Sequence, residues 1–170
     1  MVRKCLFPAA GYGTRFLPAT KSMPKEMLPI LNKPLIQYGV EEAKEAGMHG
    51  IAIVTGRGKR SLEDHFDISY ELEHQISGTS KEGRLSDIRK IINECTFSYT
   101  RQNEMKSLGH AILLGEHLIG REPFGVILAD DIPAELRTIA SRTVNIAFRT
   151  IPEQVITARL VTEGVGPGVA

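Results

Sequence analysis

Four short apolar runs, each closed by small or charged residues and separated from the next by helix-forming sequence, set the strongest limit on how this chain can fold. Cys5 to Phe7 runs into Pro8, Ala9, Ala10 and Gly11; Gly50 to Thr55 ends at Gly56-Arg57-Gly58. Thr96 to Thr100, with Phe97 and Tyr99 alternating with polar residues, ends at Arg101-Gln102, and Pro123 to Ala129 ends at Asp130-Asp131. Short continuous apolar runs suit strands buried on both faces, and alternation suits a half-buried strand. Between them, Pro34 to Ala46 places Ile36, Val40, Ala43 and Gly47 at helical spacing, with Pro34 suited to the start and Gly47 to the stop. Ser61 to Phe66, Tyr70 to Ile76 and Ile88 to Ile92 read as further helices, the last preceded by Ser86-Asp87, and Ser107 would cap a helix from Leu108 to Ile119. Strands joined by helical crossovers predict an α/β fold with a mostly parallel sheet and helices on both faces. Ligands gather beyond the carboxyl ends of such strands. Gly11, Gly56, Arg101 and Asp130 are therefore expected on one rim.

Composition excludes several classes of partner. A chain of 170 residues with 42% apolar residues suits one domain with a sizeable core. A net charge of +1 lacks the basic excess of a nucleic-acid binder, so any anion site must be local. Cys5 and Cys95 lie in apolar stretches without paired or metal-ligand spacing, as expected of buried reduced thiols in a cytoplasmic protein. Pro8 and Gly11 interrupt the first apolar run before it reaches signal-peptide length, and no stretch approaches a membrane span. From residue 133 the character changes: Lys and Asp disappear, and Arg137, Arg142, Arg149 and Arg159 are the basic residues. Val144 to Phe148 and Val155 to Val161 are strand candidates there. Residues 1–132 are read as one incomplete domain, and 133–170 as an unmatched tail, frame-shifted or disordered.

The chemistry concentrates behind the first strand. Small residues let backbone N–H groups close around an anion because no Cβ blocks the approach. Gly11-Tyr12-Gly13 has that character, and Thr14, Arg15 and Lys25 stand with it. Phe16 occupies the place of the third glycine of a dinucleotide fingerprint, and no Gly-Lys-Ser/Thr follows as in a P-loop. Pro24 and Pro29 bracket Lys25 and restrict its backbone, reducing the entropy lost in holding the ammonium at a target. The plain alternative is an ordinary strand-to-helix turn with solvated charges. Asp130 or Asp131 could bind a hard cation such as Mg²⁺ together with phosphate oxygens, or simply cap the next turn. Gln102 carries an amide that can both donate and accept, as a base edge requires. It is otherwise a surface residue. Gly109 would let a base lie against the backbone, and His110 is equally a capping or packing histidine.

Together these residues resemble bacterial UTP–glucose-1-phosphate uridylyltransferase, a branch of the sugar-1-phosphate nucleotidyltransferases. The resemblance rests on Phe7 to Arg15, Met23 to Pro29, Pro34 to Gly39, Ile53 to Lys59, Phe97 to Gln102, Leu108 to Ala111 and Leu128 to Asp131. The segment Glu63 to Glu73 is particular to the uridylyl branch. It implies a Rossmann-like three-layer fold, here truncated, in which Ala10, Gly11 and Gly13, with Thr14 beside them, wrap a nucleoside triphosphate. It further implies that Arg15 neutralises the pyrophosphate end, Lys25 meets the α-phosphate, Gln102 and Gly109 read uracil, and Asp130 binds Mg²⁺. The reaction implied joins UTP and glucose-1-phosphate into UDP-glucose and pyrophosphate, in a protein that can assemble with like subunits. The family's later Glu-Lys-Pro segment and second metal-binding aspartate have no counterpart, since the last lysine is Lys106 and the last aspartate Asp131. UTP–Mg²⁺ binding with very weak or absent turnover is the expectation. Readings with another base, or of a non-catalytic nucleotide-binding fragment, stay open.

Overall fold

A five-stranded sheet in the order β5-β4-β1-β6-β7 organises the protein. The structure, a computed structural model, describes residues 2–129 and the backbone of 146–147. In chain order the elements begin with β1 (Lys4–Pro8), the hairpin strands β2 (Pro29–Ile30) and β3 (Lys33–Pro34), α1 (Leu35–Glu45) and β4 (Gly50–Thr55). They continue with α2 (Arg60–Phe66), α3 (Tyr70–Ile76), α4 (Ser86–Glu94), β5 (Thr96–Arg101), α5 (Leu108–Leu114), α6 (Glu116–Ile119), β6 (Pro123–Val126) and β7 (Ile146–Ala147). β1, β4, β5 and β6 run parallel, and β7 pairs antiparallel with β6.

Side-chain alternation in the central strands produces two cores. Cys5, Phe7, Ile51 and Ile53 face one side of the sheet, where they pack with Ile36, Val40 and Ala43 of α1, Leu62 and Phe66 of α2, and Ile91 of α4. Leu6, Ala52, Val54, Phe124 and Val126 face the other, against Ala111 and Ile112 of α5 and Ile119 of α6. Successive residues of a strand point to opposite faces, so an uninterrupted apolar run is what a sheet covered on both sides needs. Phe66 extends the first core by stacking on Phe97 of β5, with ring centroids 4.5 Å apart.

The path of the chain creates a crevice. From β1 it crosses to β4 and on to the edge at β5, then returns past α5 and α6 to β6, on the opposite side of β1. Strand order therefore reverses at β1, and the crevice at such a switch point is where open α/β sheets bind ligands. Ala9 prolongs β1 by donating to the Val54 carbonyl, and Ile127 prolongs β6 by donating to Leu6.

Some sequence expectations need correction. The helix expected over Leu108 to Ile119 is two, divided at Gly115, whose amide is shared between the Ala111 and Ile112 carbonyls while its Cα abuts Leu6 of β1. Laddered pairing in the fourth run stops at Val126 rather than Ala129. Arg101 is the last residue of β5 rather than the first beyond it. Ile146–Ala147 falls within one strand candidate; Val155 to Val161, the rest of the tail and Asp130-Asp131 lie outside the described residues. Both cysteines are buried and free. Among the described residues, no helix is long and apolar enough to cross a membrane.

Gly56, directly after β4, is fixed by a close approach: a Cβ there would lie 2.6 Å from the Ala10 carbonyl oxygen. Backbone against backbone cannot yield cheaply. Gly56→Ala is expected to lower stability by about 1–3 kcal/mol through overpacking, seen as a lower urea midpoint at unchanged slope. An unchanged midpoint would show that the Ala9-Ala10 segment is loosely held.

Candidate functional site

The glycine loop emerges at the switch point. Ala9 and Ala10 are buried, Gly11 and Gly13 half-buried, and Tyr12 between them is exposed. Gly13 takes a left-handed φ of 68° that other residues rarely adopt. Its carbonyl accepts from the Thr20 hydroxyl at 2.7 Å and from the Phe16 amide at 2.9 Å. Those two bonds close the loop into the 3₁₀ turn Thr14–Phe16, on which Thr14 and Arg15 are both exposed.

Lys25 is brought to this loop from the next segment. It opens the 3₁₀ turn Lys25–Met27, preceded by Pro24. Its stem packs on Gly13, where a Cβ would meet Lys25 Cβ at 3.0 Å, and its ammonium lies 3.9 Å from where a Cβ on Gly11 would stand. The two glycines thus make room for the lysine as well as for any anion. The fold brings Gly11, Gly13 and Lys25 together.

What fastens that turn is a pair the sequence did not reveal. Glu26 is fully buried and Lys59, 33 residues later, is 5% exposed; the Lys59 ammonium donates to both carboxylate oxygens of Glu26 at 2.8 Å. Lys59 stands at the N-cap of α2, just past the Gly56-Arg57-Gly58 turn. The pair therefore ties the Lys25 turn to the carboxyl end of β4. Burial pushes the Glu26 carboxyl above its ordinary range, and the Lys59 charge, with a smaller contribution from Lys25, pulls it back. The available signal was a charged residue inside a proline-bracketed turn, which names no partner.

A second grouping sits beyond β5. Gln102 is buried at 4% exposure, and its backbone N–H donates to the Thr55 carbonyl at 2.9 Å, beside Gly56. Its side-chain amide nitrogen lies 3.3 Å from the Ser107 carbonyl and 2.9 Å from His110 Nδ1. Ser107 caps α5 as expected, its hydroxyl accepting the His110 N–H at 3.2 Å. Gly109, half-buried, is the second residue of that helix. Gln102 is thus a buried, tethered residue rather than a surface one.

The rim therefore links Gly11, Gly13 and Lys25 through Ala10 and Gly56 to Thr55 and Gln102, with Gly109 alongside. Arg15 and Thr14 stand on the exposed turn. Asp130 follows Ala129, the last described residue of the fourth run, and lies outside the described residues. Among the described residues, no group of three or more His, Cys, Asp or Glu side chains could hold a metal by itself. A cavity of about 550 Å³ opens at the opposite, amino end of the strands, among Lys4, His49, Gly50, Thr96 and Ile119. None of the candidate residues lines it, so it is a feature separate from this site.

Known proteins are similar to this chain in sequence and fold. The sequence model of the family described as Nucleotidyl transferase matches residues 6–151. A UTP–glucose-1-phosphate uridylyltransferase of Pseudomonas aeruginosa is 76% identical over 132 residues, covering 78% of this chain and 47% of its own length. A crystal structure of UDP-glucose pyrophosphorylase complexed with UDP-glucose matches with a TM-score of 0.68 at 68% identity, covering 76% of this chain and 46% of that one. A UTP-bound UGPase from Acinetobacter baumannii matches with a TM-score of 0.72 at 41% identity, again covering 76% and 46%. The chain spans about half the length of the curated relatives it matches.

Lys59→Met would leave Glu26 buried without its counter-charge, a change expected to remove about 3–5 kcal/mol of stability near neutral pH. Without the cation the folded-state carboxyl rises further, so the folded variant binds a proton where the unfolded chain does not. The penalty should therefore shrink as pH falls through that raised value, and be smallest below the 4.5 of the unfolded carboxyl. Denaturant titrations of both proteins across this range test it. A penalty independent of pH would point to lost packing instead.

Proposed function

The chain belongs to the nucleotidyl transferase family, and from that premise we propose that it supplies the nucleotide side of a UTP–glucose-1-phosphate uridylyltransferase. The observation that carries this reading is the Lys25 ammonium held 3.9 Å from the Cβ position of Gly11, over a loop of small residues at the switch point of the sheet. The names of the relatives, and the UTP and UDP-glucose bound in two of them, support the choice of nucleotide and sugar phosphate.

In the proposed reaction an oxygen of glucose-1-phosphate attacks the α-phosphorus of UTP in line, its new P–O bond forming as the bond to pyrophosphate breaks. No covalent enzyme intermediate is needed, so the protein contributes positioning and charge stabilisation. Backbone N–H groups of Ala10, Gly11 and Gly13, with Thr14, would surround the phosphates. Arg15, exposed on its short turn, would neutralise the pyrophosphate end. Lys25 would sit where charge shifts at the α-phosphate, and its position is pre-set by the packing of its stem on Gly13. Gln102 and Gly109 would meet the base. Asp130, which follows Ala129 in the sequence, would hold Mg²⁺ together with phosphate oxygens and water, a donor set suited to one carboxylate. That ion, when bound, neutralises phosphate charge.

Residues 1–132 carry all of these groups, and the two buried free thiols suit the reducing cytoplasm in which we place the protein. Assembly with like subunits belongs to the same reading. The sugar-phosphate side of the reaction falls to the portion of the relatives that this chain does not span, so the chain alone should bind UTP while turning over very slowly. Turnover of about 10 s⁻¹, ordinary for an enzyme, would show that it is competent by itself.

Calorimetric titration of the chain with UTP and Mg²⁺ tests the phosphate site. Lys25→Ala should weaken binding by about tenfold to a hundredfold, the loss expected of one charge-assisted hydrogen bond. An unchanged Kd would remove Lys25 from the site.

A further inference from the structure

We infer that His110 is a positioning residue that fixes which end of the Gln102 amide faces a bound base, and so makes the site select a base bearing a ring imino N–H over cytosine. The inference deepens the function proposed above and rests on its reading of Gln102 as a base contact.

The polarity follows from an obligate acceptor. A carbonyl oxygen cannot donate, so the Gln102 atom 3.3 Å from the Ser107 carbonyl must be the NH₂ nitrogen. That nitrogen also lies 2.9 Å from His110 Nδ1. Its two hydrogens are then both committed inside the protein. His110 Nδ1 has to receive one of them with its lone pair, which places the ring proton of the neutral imidazole on Nε2. The Gln102 Oε1 is given no hydrogen bond by the described residues and is not sealed from solvent. It is the end of the amide left to a ligand.

Neither partner is loosely placed. The His110 backbone N–H is held by the Ser107 hydroxyl, and the Gln102 backbone N–H by Thr55 at the end of β4. Gln102 at 4% exposure has little room to exchange partners with water. Ser107 serves three times, capping α5 through its hydroxyl, receiving Ala111 N–H at its carbonyl, and receiving the Gln102 amide there as well.

A fixed acceptor reads bases asymmetrically. Uracil and thymine carry N–H at ring position 3, a donor for Oε1. Cytosine carries a lone pair there, which would face the Oε1 lone pairs unless the base slid aside. A glutamine free to turn over could offer NH₂ to cytosine instead. Without His110 the amide keeps only the Ser107 carbonyl as its orienting partner, and discrimination should fall.

The test uses the full chain with UTP and CTP as competing ligands, each titrated with Mg²⁺. His110→Leu, which removes the acceptor, should lower the preference for UTP over CTP by about tenfold, the equivalent of one modest hydrogen-bond difference. His110→Asn, whose side-chain oxygen can stand in for Nδ1, should keep the preference. UTP binding with an unchanged UTP-to-CTP ratio in His110→Leu would overturn the inference while leaving the proposed function intact. Failure of the parent chain to bind UTP would overturn both. Should the leucine variant not fold, nitrogen NMR of the parent imidazole decides without nucleotide: the Nε2–H tautomer is expected at His110, and the Nδ1–H tautomer refutes the lock.

Discussion

A carboxylate and an ammonium buried against each other hold the working rim of this protein together. Taking either charge out of water alone is unfavourable by several kcal/mol, and their contact offsets this only when geometry is good. Here one ammonium meets both carboxylate oxygens at 2.8 Å. The pair spans two segments that no strand ladder joins, the proline-bracketed turn after the glycine loop and the N-cap of α2. Once Glu26 is committed to Lys59, the adjacent Lys25 has little choice of direction, and its stem closes on Gly13. Adjacent residues thus divide the work, Glu26 anchoring inward while Lys25 presents a charge to the crevice.

The crevice itself follows from strand order. β1 is paired on both sides, to β4 and to β6, and its carboxyl end carries the loop. Helices of the two crossovers cover opposite faces, α1, α2 and α4 against Phe7 and Ile53, α5 and α6 against Leu6 and Phe124. They diverge at β1, so the loop after that strand has a gap to occupy. Gly56 then lets the loop's first residues lie directly on the end of β4, because the Ala10 carbonyl takes the space a side chain would fill.

Elements governed by local periodicity were legible in the sequence. β4 and α3 span the residues that pattern alone assigned, and α1 differs only at its ends, with Pro34 at its N-cap. Features set by partners distant in the chain were not. The β2–β3 hairpin turns through Leu31 at a φ of 59°, where no glycine or asparagine-glycine signal marks it. The expected helix from Leu108 looked continuous because its apolar spacing is unbroken, yet Leu6 presses on Gly115 and the ladder tightens there. At the proposed site, Gly11, Gly13, Lys25 and Gln102 stand out in the sequence as residue types suited to phosphates and bases. The groups that hold them, Lys59 for the Lys25 turn and His110 for Gln102, were ordinary residues until folding placed them.

The two ends of the proposed site share one physical device. A phosphate is repelled by lone pairs and attracted by N–H groups, so a loop meant for it should hide its carbonyls. The Gly13 carbonyl receives the Thr20 hydroxyl and the Phe16 amide, which together occupy its two lone pairs. At Gln102 the reverse is done: both N–H donors are consumed and an oxygen is left. In the proposed site, specificity would come in each case from satisfying a group of the wrong polarity within the protein, before any ligand arrives. Such a site needs no rearrangement of its own dipoles on binding, and that lowers the ordering cost that association otherwise carries. On that reading Thr20 and His110 act on the site through the groups they satisfy, Gly13 and Gln102.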